Sequence, residues 1–135
     1  MPKLIYLGSP YTHAEASVRE QRFFAVARAA GWLFTVKGIY IYAPISMTHQ
    51  MWLEMQHMPG ASFEWQAWAA FDEFMVQKTD EFWILTIPGW EKSVGVTAET
   101  AIARKLSLPI RYVNELPDGG YSVTDEPPQA AGTAS

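Results

Sequence analysis

The feature that most constrains this chain is one apolar run that ends abruptly. Phe82-Trp83-Ile84-Leu85-Thr86-Ile87 breaks on Pro88-Gly89, continues through Trp90-Glu91-Lys92-Ser93-Val94-Gly95, and resumes as a helical pattern that carries Glu99. A run this apolar reads as a strand covered on both faces, the usual condition of a parallel sheet. A strand that breaks and returns as a helix leaves its loop at the carboxyl edge, where open α/β sheets bind ligands. The pattern predicts a helix over residues 96–106, with Glu99 in its first turn.

The rest of the chain supplies the alternation such a sheet needs. Leu4-Ile5-Tyr6-Leu7 ends on Gly8-Ser9-Pro10 and predicts a buried, central strand. Thr12 and Glu15 have capping-box spacing, so a helix is expected to start there and run to about Lys37, with Gly38 as its left-handed stop and Gly31 as an alternative. Residues 39–43 are β-branched and aromatic and end at Pro44, a second strand. In residues 46–60, Met47, Met51, Met55 and Met58 fall at helical spacing before Pro59-Gly60, consistent with a short helix or a mobile flap. Ser62 can cap a helix over residues 63–79, which leads through Asp80-Glu81 into the run at 82–87. Pro109 introduces a fourth strand over residues 110–113.

Together these elements predict one domain over residues 1–116: a doubly wound parallel sheet of four to five strands in the order 2-1-3-4, flavodoxin-like or Rossmann-like, with helices on both faces. Residues 117–135 turn to Pro, Gly, Ser and Ala and read as a tail with little to bury. In that strand order the loops at 8–10 and 88–95 face each other across one crevice.

Composition removes several classes of function. With 135 residues the chain can build one core but not an internal two-domain cleft, so a deep pocket calls for a second subunit. A formal net charge of -4 argues against binding polymeric nucleic acid. The chain has no cysteine, which excludes disulfides, thiolate catalysis and cysteine metal sites. Its amino-terminal apolar run is too short for a signal peptide or a membrane span, so a cytoplasmic protein is expected. His49 and His57 would lie about 12 Å apart on a helix, too far to share one metal ion, and the methionine stripe reads as packing rather than a copper site.

Two acids stand out. Trp65, Trp68, Asp72 and Met75 share one face of the helix at 63–79, with Asp72 the only charge among them, whereas Glu73 points elsewhere. Such a carboxyl is either desolvated, with a raised pKa suited to holding a proton, or lies at the stripe's edge and reaches water. Glu99 reads either as a dipole complement or as an ionised carboxylate placed for nucleophilic attack. Two carboxyls with divergent proton affinities are what glycosyl transfer requires. Gly8 and Ser9 can cradle an anion, and Ser93 and Gly95 offer further donors. Arg19 and Arg22 share a helix face, as a surface pair or as phosphate ligands. Trp90 could stack on a flat ligand or fold back on the sheet.

Tyr6-Leu7-Gly8-Ser9-Pro10, Asp72 eight residues before Asp80, and Ser93-Val94-Gly95 with Glu99 six residues after Ser93 together resemble the nucleoside 2-deoxyribosyltransferase superfamily, which includes the small 2′-deoxynucleoside 5′-phosphate N-hydrolases. The similarity spans roughly residues 3 to 113, and is nearest to a small bacterial branch with a Gly-Trp-Glu-x-Ser-x-Gly loop. The resemblance implies that Glu99 attacks C1′ of the sugar, that Asp72 assists, and that Tyr6 orients the nucleophile or sugar. The transferases typically carry Asp at position 93 and the 5′-phosphate hydrolases Ser, so Ser93 points to a nucleoside 5′-monophosphate. The hydrolases also carry an arginine just after the Gly-Ser turn, where this chain has Pro10-Tyr11-Thr12-His13. His13, Arg19 or Arg22 would have to supply that cation. The resemblance further implies a homodimer or homotetramer whose neighbouring subunit completes the pocket, and neither metal nor organic cofactor. A non-catalytic nucleotide-binding or sensing module on the same fold is the alternative, and a structural oligomerisation domain a third.

Overall fold

The computed structural model describes residues 2–60 and 65–129, with Trp65 described in its backbone only. The chain builds a five-stranded sheet from β1 (Leu4–Gly8), β2 (Tyr40–Tyr42), β3 (Glu81–Leu85), β4 (Ile110–Glu115) and β5 (Tyr121–Thr124) in the order β2-β1-β3-β4-β5. The first four strands are parallel, as expected from the alternation of strands and helices, and β5 runs antiparallel to β4.

Strand parity divides the core into two layers. Ile5, Leu7, Trp83, Leu85 and Val113 pack with Val26, Ala29 and Leu33 of α1 (Ala16–Lys37). Tyr6, Phe82, Ile84 and Tyr112 point the other way, against Val76 of α3 (Trp65–Gln77) and Val96 and Ala103 of α4 (Val94–Lys105). Because paired residues of parallel strands share a face, the register Tyr42–Tyr6–Phe82 lays a row of three rings beneath α3 and α4. Burying each such side chain contributes about 1.5–3 kcal/mol.

Several boundaries differ from expectation for identifiable reasons. The capping box at Thr12 and Glu15 does not form, and α1 begins at Ala16 with Glu15 as a cap that makes no side-chain hydrogen bond. The carbonyls of Thr12, His13 and Ala14 instead accept from the guanidinium groups of Arg22 and Arg19, which hold the segment outside the helix. The helix runs through Gly31 and stops where Gly38 takes the left-handed conformation (φ 66°) and donates to Phe34, as expected. Residues 44–55 form α2 (Pro44–Met55), opened by a proline at its first turn. The expected cap Ser62, the helix start at Phe63 and the side chain of Trp65 lie outside the described residues.

The segment from 117 holds more structure than a tail. Gly119 (φ 89°) closes a turn in which Leu116 N–H donates to the carbonyl of Gly120 and Gly119 N–H donates to that of Leu116, and β5 follows with Tyr121 buried against Trp32. The methionines also depart from a packing role: Met47, Met51 and Met58 are 41%, 37% and 56% exposed and line an open apolar groove of about 520 Å³ along α2. No helix among the described residues is long and apolar enough to cross a membrane.

Candidate active site

The first component of the site is an absence of side chain. Gly8 ends β1 beneath α4, and a Cβ there would lie 2.9 Å from Cζ of Phe82 and 3.2 Å from Oε1 of Glu99. The carboxyl of Glu99 therefore occupies space that any other residue at position 8 would fill. Gly8→Ala is expected to destabilise the fold by about 1–3 kcal/mol through overpacking and to displace the carboxyl. Chemical denaturation checks the first effect, and a variant as stable as the wild type would contradict the contact.

Glu99 is buried, only 7% exposed. Because α4 begins at Val94, the residue stands in the second helical turn rather than the first. Helix-dipole stabilisation falls off within one turn, so burial governs its ionisation instead. Burial first, then the neighbouring Asp72 charge, push its pKa up to about 8, while the hydroxyl of Tyr6, which donates to Oε2 of Glu99, pulls the other way. This reverses the expectation of a carboxylate kept ionised by the helix end.

Asp72 projects from α3 towards the same hydroxyl. It is half-buried, and desolvation lifts its pKa to about 6, against the lowering effect of a hydrogen bond to Tyr6. Glu73, its neighbour in sequence, is exposed. Tyr6, fully buried, thus lies between two carboxyls on different helices; burial and both charges push its own pKa far up, so it remains a neutral donor. The macroscopic result is a pair that holds one proton between about pH 6 and pH 8.

Glu81 shows what a structural acid looks like in this fold. It is also buried, at the opposite edge of the sheet, and burial alone would raise its pKa. Trp83 and Lys3, each 3.0 Å away, together with Arg111, outweigh that and lower it. Among the described residues, no cation pairs with Asp72 or Glu99.

The remaining expected residues divide between the crevice and its supports. Ser9 is buried, and its hydroxyl oxygen makes no hydrogen bond among the described residues. Ser93 caps α4 by accepting from Val96 N–H at 3.2 Å, which leaves its own hydroxyl hydrogen free to donate. Gly95 lies in the first turn of α4, whose leading N–H groups no helical carbonyl can reach. Arg22 donates to the carbonyls of Thr12 (2.9 Å) and Pro88 (3.5 Å) and so bridges the two crevice loops. Its guanidinium passes so close to Gly89 that a Cβ there would be 2.5 Å away, and Gly89 (φ 94°) holds a conformation other residues rarely adopt. Arg19 bonds the carbonyls of His13 and Ala14 and stacks over Trp52, and is a support of the loop. Trp90 sits in a 3₁₀ turn and packs edge-on against Tyr112, 5.8 Å between ring centres, so it is folded back on the sheet.

One residue escaped the sequence. Tyr42 pairs in register with Tyr6, packs edge-on against it at 5.5 Å, and presents a second buried hydroxyl with no partner among the described residues. Its position as the last residue of a strand at the carboxyl edge was the available signal. A group of three or more His, Asp or Glu residues able to hold a metal ion is absent among the described residues.

All of these residues fall within a single recognisable unit, since residues 3–115 match the model of the family described as a domain of unknown function, DUF1937. The chain belongs to the DUF1937 family. None of the curated proteins matches it. The DUF1937 region takes in the whole carboxyl pair, both crevice loops and strands β1 to β4, and leaves β5 outside.

Proposed function

We propose that this DUF1937 protein breaks the N-glycosidic bond of a nucleoside 5′-monophosphate through a covalent glycosyl-enzyme, either as a hydrolase or as a deoxyribosyltransferase. The observation that carries the proposal is the Tyr6 hydroxyl shared by the carboxyls of Glu99 and Asp72 at the carboxyl edge of the sheet. The resemblance of the Gly8-Ser9, Asp72 and Ser93 to Glu99 motifs to the nucleoside 2-deoxyribosyltransferase superfamily supports the same assignment.

The inventory of protons suits the chemistry. At neutral pH the pair holds one proton and one negative charge. In the free pair that proton sits on Glu99; when substrate binds it passes to Asp72 and leaves the charge on Glu99, whose oxygen forms a bond to C1′ as the C1′–N bond breaks. The electron pair of that bond goes to the base, and Asp72 delivers its proton there. Water, or a second base in a transferase, then attacks C1′, frees the Glu99 carboxylate and returns a proton to Asp72. Tyr6 donates to Glu99 throughout, holding the attacking oxygen in place. Ser9, the Ser93 hydroxyl and the N–H groups near Gly95 bind the sugar phosphate, with Arg22 at the loop mouth. No metal or organic cofactor is called upon.

The rate is expected to follow a bell-shaped pH profile with limbs near 6 and 8. Below about 6 both carboxyls are protonated and no nucleophile exists; above about 8 both are ionised and no acid remains. A rate independent of pH across that window would contradict the shared proton.

Assaying base release from a panel of nucleosides and 5′-monophosphates tests the function itself. Turnover of at least one monophosphate is expected, and none with any member of the panel defeats the proposal. The raised proton affinity of Glu99 favours one alternative, a sensing module in which a neutral Glu99 donates to a ribose hydroxyl. Calorimetry would then show nucleotide binding with no product. We also take the enzyme to act in the cytoplasm as a homodimer or homotetramer, and the exposed methionine groove gives an apolar surface for such contact. Sedimentation at the mass of one 15.2 kDa chain would contradict the oligomer.

A further inference from the structure

Two buried hydroxyls have no partner among the described residues: Ser9, just past the end of β1, and Tyr42, the last residue of β2, which faces the charges of Asp72 and Glu99. Buried polar groups in folded proteins are nearly always hydrogen-bonded, so an orphan beside a crevice marks a place where a ligand atom belongs. Ser9 is already accounted for by the phosphate-binding loop. Tyr42 is not.

Its location says which part of the ligand it meets. In the order β2-β1-β3, the donors at Ser93 and Gly95 follow β3, Glu99 overhangs Gly8 at the end of β1, and Tyr42 ends β2 on the far side. With C1′ against Glu99 and the phosphate at the loops, the base extends towards β2. Asp72, which delivers the proton to the departing base, acts on the Tyr42 hydroxyl more strongly than Glu99 does. The ring itself is fixed by its edge-on contact with Tyr6.

We propose that Tyr42 reads the leaving base: its unpaired buried hydroxyl hydrogen-bonds the polar edge of the nucleobase held beside Asp72. The inference rests on the nucleotide assignment made above and adds to it the residue that sets base preference.

Tyr42→Phe keeps the ring and removes only the hydroxyl. Its melting temperature should equal or exceed that of the wild type, since no bond within the chain is lost. KM for the best monophosphate should rise about 10-fold with kcat within about 2-fold, and the free base should weaken as an inhibitor by a similar factor. Inhibition by the corresponding sugar 5-phosphate should not change. Unchanged KM and base inhibition would overturn the contact while leaving the glycosidase intact. Equal weakening of base and sugar phosphate would overturn it too, as would a lowered melting temperature, which would show a hydroxyl bonded within the chain. If the wild type neither binds nor cleaves any nucleotide, the glycosidase assignment fails and the Tyr42 contact falls with it.

Discussion

Glu99→Ala should reduce base release by at least about 10⁴-fold, because it removes the atom that bonds to C1′ and leaves no neighbouring group able to replace it. Asp72, the other carboxyl at the Tyr6 hydroxyl, belongs to α3 and in the proposed mechanism serves the departing base. Glu99→Gln should be equally inactive and is the more informative variant, since it preserves shape. In the native fold the Glu99 pKa stands near 8, above the usual carboxyl value of 4.5. The folded state therefore holds a proton that the unfolded chain releases, and the stability this confers is complete below about 4.5 and lost as pH rises towards 8. That loss proceeds at up to about 1.4 kcal/mol per pH unit. A glutamine cannot ionise, so Glu99→Gln should match the wild type near pH 4 and exceed it in stability at pH 9. Equal melting temperatures at both pH values would contradict the burial argument, and residual turnover near the wild-type rate would remove Glu99 from the chemistry.

Asp72→Asn should lower kcat/KM by about 10²–10⁴-fold, the usual contribution of a positioned general acid. The size of the loss should depend on the leaving group. A sugar phosphate bearing an activated aryl group, which departs without a proton, should be cleaved by the variant nearly as fast as by the wild type. The alkaline limb of the pH profile near 8 should also disappear, because an amide at position 72 has no proton to lose, which leaves a single limb for the ionisation of Glu99. An equal loss for activated and natural substrates would show that Asp72 shapes the site rather than supplying a proton.

The sheet was largely legible because its signals are local. The apolar runs that became β1 and β3, and the glycine that stops α1, each declare themselves within a few residues. β5 was hidden because its evidence is tertiary: Tyr121-Ser122-Val123-Thr124 sits in a polar, glycine-rich context and is recognisable only once Tyr121 meets Trp32 and the strand pairs with β4. The start of α1 departs from its capping-box signal for a similar reason, since that local signal loses to carbonyl contacts from Arg19 and Arg22.

At the site, residue types could be read but their protonation could not. Glu99 was expected to be ionised because a helix end favours a carboxylate; the true helix start at Val94 moved it a turn inward, over Gly8, where burial dominates. The meeting of Tyr6, Asp72 and Glu99 depends on strand register and on the packing of α3 against α4, neither of which has a local signature. Tyr42 has no local signature, because an aromatic residue at a strand end is common and what distinguishes it is a hydroxyl with no partner among the described residues.

The central claim is that Glu99 becomes bonded to the sugar. Mixing the protein with a nucleoside 5′-monophosphate that it turns over, quenching in acid within the first turnover, and weighing the intact chain and its peptides tests this most directly. A sugar-phosphate adduct on the peptide that contains Glu99, absent from Glu99→Gln, is the predicted result; base release from a chain that stays unmodified, or an adduct on any other residue, would contradict it.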